Sequence, residues 1–266
     1  MFEKTSSNSD TSAHEDELYE KDKQKLLLYN KKITCPVCDT KFNARAIKKS
    51  SYRILKKDSD FFIRYSIINP YFYDVWVCDT CGYAAIKTDF EHLDDFDANT
   101  VRNEISPKWH SKCYPEVYDI NLAIQRYKLS LLNYHVINAK SSKKAINLLK
   151  IAWMYRLKED KKSELEYLKH ALENFNDAYS SEHFPICGMN RFTTMYLIGE
   201  LYRRTGKEDD ALLWFGQVIT SPLAPQKIKN IARDQKDLIK SKIEDTKPED
   251  NLKNNKKQSI FSKFHK

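Results

Sequence analysis

Two Cys-x-x-Cys pairs, Cys35-Pro36-Val37-Cys38 and Cys78-Asp79-Thr80-Cys81, restrict what this chain can fold into more than any other feature. A Cys-x-x-Cys turn lets two sulfurs face one ion while backbone N–H groups point back at them, and a second such turn completes the four soft ligands that structural zinc prefers. The spacing therefore predicts one structural Zn2+ per chain, held by Cys35, Cys38, Cys78 and Cys81. A closed set of this kind leaves no position for water, so the ion folds the protein and performs no chemistry. Neighbouring residues agree. Pro36 stiffens the first turn, Phe42 follows it as an apolar lid, and Gly82 follows the second turn, where a positive φ is needed. The rival reading is a redox dithiol, which requires Cys-Pro-Val-Cys at a strand-to-helix junction, whereas 32–42 and 73–81 read as short strands or hairpin arms.

Length then sets the scale. A chain of 266 residues leaves room for two modules, the larger with a real core. Only five glycines occur, and nothing reads as Gly-x-Gly-x-x-Gly, a P-loop, a nucleophile elbow or a His-Glu-x-x-His helix, which argues against an NTPase, a Rossmann enzyme, an α/β-hydrolase and a zincin. The polar, acidic start lacks a basic n-region followed by an apolar h-region, and no apolar run is long enough to span a bilayer. The expectation is a cytoplasmic protein without membrane insertion, in a reducing pool that keeps the thiols available. Cys113 and Cys187 are left over, with His110 and His183 near them in sequence. A second metal or a Cys/His nucleophile is conceivable there, and an idle or buried cysteine is the plainer reading.

Periodicity divides the chain further. Residues 1–24 form a Ser/Asp/Glu-rich tail with too few apolar groups to fold. Residues 25–95 form a zinc-ribbon-like module with strand-like runs at 52–55 and 61–68, broken by the turn signal Asp58-Ser59-Asp60 and stopped by Asn69-Pro70; 71–77 then returns as a strand into the second knuckle. Residues 96–117 read as a linker. From 118 to 244 the apolar spacing becomes helical: Ile120, Ala123, Ile124, Tyr127, Leu131 and Tyr134 on one face, then, after Ser141-Ser142 as a cap, Ala145, Leu148, Leu149, Ala152 and Tyr155, followed by Leu165 to Phe175. Pro185 and Gly188 mark a loop at 179–188. A last amphipathic helix carries Ile228, Ile231, Ala232, Leu238 and Ile239, and 245–266 is a basic Lys/Asn-rich tail.

The stretch 195–222 is close to a tetratricopeptide repeat. Gly199 lets the paired helix approach, Tyr202 fills the space between helices, Gly206 makes the turn, and Ala211 and Phe215 lie on the facing helix. An earlier copy is partly visible, with Ala152 and Tyr155 matching Gly199 and Tyr202 and Ala171 standing where Val218 does, although Glu164 replaces the small Ala211. The expected fold class is α+β: a small β-rich zinc-ribbon-like head followed by an all-α, tetratricopeptide-like array of helical hairpins.

Taken together, Cys35-Pro-Val-Cys38, Asp58-Ser-Asp60, the run from Asn69-Pro70 through Trp76-Val-Cys78-Asp-Thr-Cys81 to Gly82-Tyr83-Ala84-Ala85, and Ala152-Trp153-Met-Tyr155-Arg156 resemble the bacterial family called domain of unknown function 2225. The similarity covers about 32–239. It implies a zinc ribbon with a tetratricopeptide-like helical region and carries no established activity.

Three function classes follow. A non-enzymatic adaptor would use zinc to hold the head and offer a helical groove to a protein or peptide partner. A nucleic-acid binder would use the basic segment 41–64, with Lys48, Lys49, Arg53, Lys56 and Lys57 among interleaved aromatics. A thiol-based redox enzyme is the third. The plainer readings are a solvated strand face for the basic residues, within a chain of formal charge +8, core packing for Tyr71, Tyr73 and Trp76, and a polar turn for Asp58 and Asp60. No catalytic motif is found, and the adaptor is the reading adopted.

Overall fold

A computed structural model describes residues 21–245, with side chains placed to 243. The expected tails, 1–24 and 245–266, lie outside the described residues except at their inner ends, where 21–24 and 245 are helical and not unstructured as expected. The architecture is α+β. Six short strands form three separate antiparallel hairpins: β1 (Leu28–Thr34) with β2 (Lys41–Ile47), β3 (Arg53–Lys57) with β4 (Ile63–Ser66), and β5 (Val75–Val77) with β6 (Ala84–Ile86). The first and third hairpins are closed by the two cysteine turns, in the registers Thr34↔Lys41 and Val77↔Ala84.

Helices follow: α1 (Asp95–Glu104), α2 (Ile120–Val136), α3 (Ser141–Leu157), α4 (Lys161–Ser181), α5 (Arg191–Arg204), α6 (Glu208–Thr220) and α7 (Gln226–Asp245). Asp119, Asp160 and Asn190 cap α2, α4 and α5 by accepting from Leu122, Ser163 and Thr193 backbone N–H groups, each satisfying an orphan donor of the first turn. Ser141 and Ser142 do not cap α3. They form its first turn, and Glu182 Oε1 accepts from the Ser142 N–H at 2.8 Å, so the cap comes from a distant residue that local sequence cannot reveal.

Three helices end alike. Asn138, Glu159 and Gly206 take positive φ (48°, 60° and 80°), and the next residue, Ala139, Asp160 or Lys207, donates its N–H to the carbonyl of Tyr134, Tyr155 or Tyr202. That is the left-handed termination in which the residue after the turn satisfies a carbonyl of the last helical turn. In the α5–α6 hairpin, a Cβ added to Gly199 would fall 2.9 Å from a Phe215 ring carbon and 3.1 Å from Trp214 Cβ. Ala211, Phe215 and Val218 are wholly buried behind it. In the α3–α4 hairpin Ala152 and Ala171 are equally buried, whereas Glu164 reaches back to Arg156 Nε at 2.7 Å, a polar tie where a small side chain would otherwise be needed.

Two sequence expectations are corrected. The run 71–77 is not all strand: Pro70–Tyr73 forms a 3-10 turn capped by the Asn69 side chain, and only Val75–Val77 is extended. Proline at the first position fixes the turn, and the Tyr71 carbonyl it exposes accepts from Tyr127 OH at 2.9 Å. The two modules expected from length and periodicity share a core. One buried cluster runs from Phe62, Val75, Val77, Ala84 and Ile86 through Ile124 and Tyr127 of α2 and Trp153 of α3 to Leu197 of α5. Phe62, Tyr71 and Trp153 meet pairwise with ring centroids 5.3–5.6 Å apart, each contact worth ~0.5–1.5 kcal/mol beyond the area it buries.

Candidate metal centre

Each cysteine turn is built the same way. Cys35 donates its N–H to Thr40 O and its carbonyl accepts from Asp39 N, and Cys78 donates to Tyr83 O and accepts from Gly82 N, all at 2.8–3.0 Å. The residue after the second cysteine has positive φ in both, 57° at Asp39 and 77° at Gly82. Glycine at 82 answers a second demand as well, because an added Cβ would lie 2.6 Å from the Trp109 indole.

The two turns face each other and bring the four sulfurs within 4.8 Å of one another. Cys35 Sγ lies 3.6 Å from Cys81 Sγ, and Cys38 Sγ lies 3.6 Å from Cys78 Sγ. Four thiolates at the usual zinc–sulfur distance of about 2.3 Å form a tetrahedron with edges of about 3.8 Å. The donors present therefore fit a small tetrahedral cation, and both 3.6 Å contacts join one turn to the other. Cys35, Cys78 and Cys81 are buried and Cys38 half-buried.

Crowding dominates their titration. Hydrogen bonding to Cys78 pushes the Cys35 thiol up to about 12, and the same contact, with a further one from Cys81, lowers Cys78. Bonding to Cys35 and Cys78 raises Cys81. A bound divalent cation would favour the ionised form of all four. Ile33, Val37, Ala44, Tyr83 and Phe90 share a buried cluster with the cysteines, and half-buried Phe42 packs against it with its ring 5.7 Å from Phe90.

The residues read as a linker, 96–117, brace this centre. Arg102 Nε of α1 donates to the Val37 carbonyl in the first turn, while Ser106 Oγ and Trp109 Nε1 donate to Cys81 O (3.0 Å) and Asp79 O (2.8 Å) in the second. A sequence signal for α1 existed. Asp94 caps it, Asp95 and Asp97 sit in its first turn, and Ala98 and Val101 are its buried pair.

A second constellation joins head to helices. The Asp58-Ser59-Asp60 turn between β3 and β4 sits against α3 and α5. Arg156 holds Asp60 with both Nη atoms (3.0 and 2.6 Å), reaches Asp58 at 3.2 Å and binds Glu164 through Nε. Trp153 Nε1 donates to Asp60 at 3.0 Å, and Arg204 links Ser59 Oγ (2.9 Å) to buried Glu200 (2.7 Å). Burial alone would raise the carboxyl of Asp60, but the bond from Arg156, the charges of Arg204 and Arg156 and the bond from Trp153 together hold it below the usual range. These carboxylates are not a solvated turn: Arg156 and Arg204 hold Asp60, and Arg64 binds Asp58 at 3.0 and 3.2 Å beside the single bond from Arg156.

Lys48, Lys49, Arg53, Lys56 and Lys57 are all exposed around the β3–β4 hairpin. Lys48 Nζ is tied to Leu26 O at 2.7 Å, and Lys57 Nζ lies 4.4 Å over the Phe61 ring, its pKa lowered by burial and by Lys227. Tyr73 and Trp76 are core, and Tyr71 is half-buried. Cys113 and Cys187 are both exposed; Cys187 donates its thiol to Ser142 O at 3.2 Å, and desolvation of its sulfur pushes it up to about 12. Among the described residues only the four paired cysteines form a group of three or more ligands able to hold a metal.

The chain matches the family described as uncharacterized protein conserved in bacteria (DUF2225) over residues 28–239. It belongs to that family. The matched span contains both cysteine turns, the Asp58-Ser59-Asp60 turn and all but the end of α7. No curated protein and no solved structure matches it. No helix of the described residues is long and apolar enough to cross a membrane.

Proposed function

We propose that this chain is a non-enzymatic adaptor in which one structural Zn2+ on Cys35, Cys38, Cys78 and Cys81 holds a small head against tetratricopeptide-like helical hairpins that bind a protein or peptide partner. The observation that supports the reading is the donor set: four sulfurs within 4.8 Å of one another, in a cluster that Phe42 packs against and α1 braces, would leave a bound ion no open position. Bound zinc would supply folding energy there and no Lewis-acid chemistry. Arg156 and Arg204 further support it, because their face of the helices already grips an acidic turn of the chain itself, the kind of segment an adaptor groove accepts. An outside partner then uses either the exposed helical residues, such as Leu213 and Leu238, or displaces that turn.

Exposure of Lys48, Lys49, Arg53, Lys56 and Lys57 beside exposed Tyr52, Ile54 and Leu55 favours a second reading, a nucleic-acid binder. The shared core makes halves of the chain poor reagents, so the test uses the whole zinc-loaded protein in native lysate. For the adaptor, capture survives nuclease and the change of Lys48, Lys49, Lys56 and Lys57 to Ala, and fails in the Leu213→Asp, Leu238→Asp double variant. Capture that follows the lysines, vanishes with nuclease and falls steeply with salt overturns the adaptor in favour of nucleic acid.

A further inference from the structure

Among the described residues Arg126 is buried and Arg156 nearly so, with 9% of its side chain exposed, and the two are treated differently. Arg156 faces three carboxylates. Arg126 of α2, 5% exposed, has no carboxylate within ion-pair distance among the described residues. Its Nη2 donates to Val75 O at 2.8 Å, its Nε is buried without a partner, and the rings of Tyr114 and Tyr118 each lie 4.7 Å from the guanidinium carbon.

A charge that can never be neutralised by deprotonation is costly to bury without a counter-ion, and two aromatic faces and one carbonyl offset only part of that cost. An apolar side chain would fill the same space more cheaply. Arg126 also lines a cavity of about 390 Å³ at the junction of head and helices, together with Asn43, Arg45, Asp79 and Lys112. Arg45 is already committed to Glu116 and Asn30, which leaves Arg126 and exposed Lys112 as the cations available to a guest.

We propose that this cavity is an oxyanion-binding site in which the Arg126 guanidinium at its wall attracts a phosphate or carboxylate group and Lys112 supplements its charge. A guanidinium keeps its charge at every working pH and offers Nη donors suited to the oxygens of such a group. Tyr114 and Tyr118 hold the guanidinium in place, so little side-chain freedom is lost when the anion arrives. The cavity borders the second cysteine turn through Val77 and Asp79, is lined by none of the four paired cysteines, and needs nothing from the adaptor reading.

The test is thermal denaturation of the whole zinc-loaded chain in chloride, inorganic phosphate and acetate at equal ionic strength, with titration calorimetry for the same anions. A ligand that binds only the folded state raises Tm with its concentration. Wild type should rise in phosphate or in acetate relative to chloride, and the responsive arm identifies the anion class. Arg126→Lys should lose the rise, Lys112→Ala should weaken binding several-fold, and Arg126→Met should be at least as stable as wild type in chloride. Equal Tm for wild type in all three salts overturns the proposal. So does a rise that persists unchanged in both Arg126→Lys and Lys112→Ala, since the anion would then be acting elsewhere; the exposed position of Lys112 keeps that arm readable even where an Arg126 variant fails to fold.

Discussion

Replacing Asp60 by Asn tests how the head is fastened to the helices. The Asp60 side chain is wholly inaccessible to solvent and accepts from both Nη atoms of Arg156 and from Trp153 Nε1. Removing one partner of a buried ion pair costs ~3–5 kcal/mol, mainly because the other charge stays buried. In Asp60→Asn the new amide would keep an acceptor for Trp153, and Arg156 would keep Asp58 and Glu164, so the loss should fall at the low end, about 3 kcal/mol. For a chain of this size that lowers Tm by roughly 6–12 °C. Acid provides the sign check. Asp60 is held below its unfolded value, so its contribution is complete above about pH 4, the unfolded carboxyl value, and is lost as pH falls through the lower folded value. Urea melts of the zinc-loaded protein, followed by tryptophan fluorescence, should therefore give a gap between wild type and Asp60→Asn that is full at pH 7 and narrows in acid. A gap below about 1 kcal/mol at pH 7, the size typical of an exposed pair, would refute the clamp.

Elemental analysis should find one zinc per chain, lost in Cys78→Ser. Chelation should also perturb the helical signal, because the core is shared; a helical melt indifferent to metal would contradict that packing. Gly82→Ala should weaken metal retention in a competition with a chromophoric chelator, since it meets both a positive φ and the Trp109 ring, and wild-type retention would show that neither constraint matters. Gly199→Leu should lose ~1–3 kcal/mol by forcing α5 from α6 and Ala211→Arg more, by burying an unpaired charge, and an unchanged Tm in both would place these positions on the surface.

Much is legible locally because local chemistry decides it. The cysteine spacing, the glycine after the second turn and the three-and-four apolar rhythm of α2 to α7 depend on φ preferences, ligand type and helix period, all carried by residues close together in the chain. The α1 brace escapes a reading by periodicity although Asp94 and its acidic first turn announce it, because a short helix with two buried residues has a weak apolar stripe.

The sequence by itself determined that two thiolate turns and a set of amphipathic helices must form. Only the tertiary structure decided what those parts meet. Asp58 and Asp60 are a polar turn in sequence, and Arg156, on a helix far along the chain, closes on them; Ser142 has the chemistry of a cap, and Glu182 supplies one instead; Arg126 is one more cation on an amphipathic helix, and Tyr114, Tyr118 and Val75 enclose it. In each case the polar group is ordinary in water, and its energy is set by whether burial brings a partner of opposite character or leaves it without one.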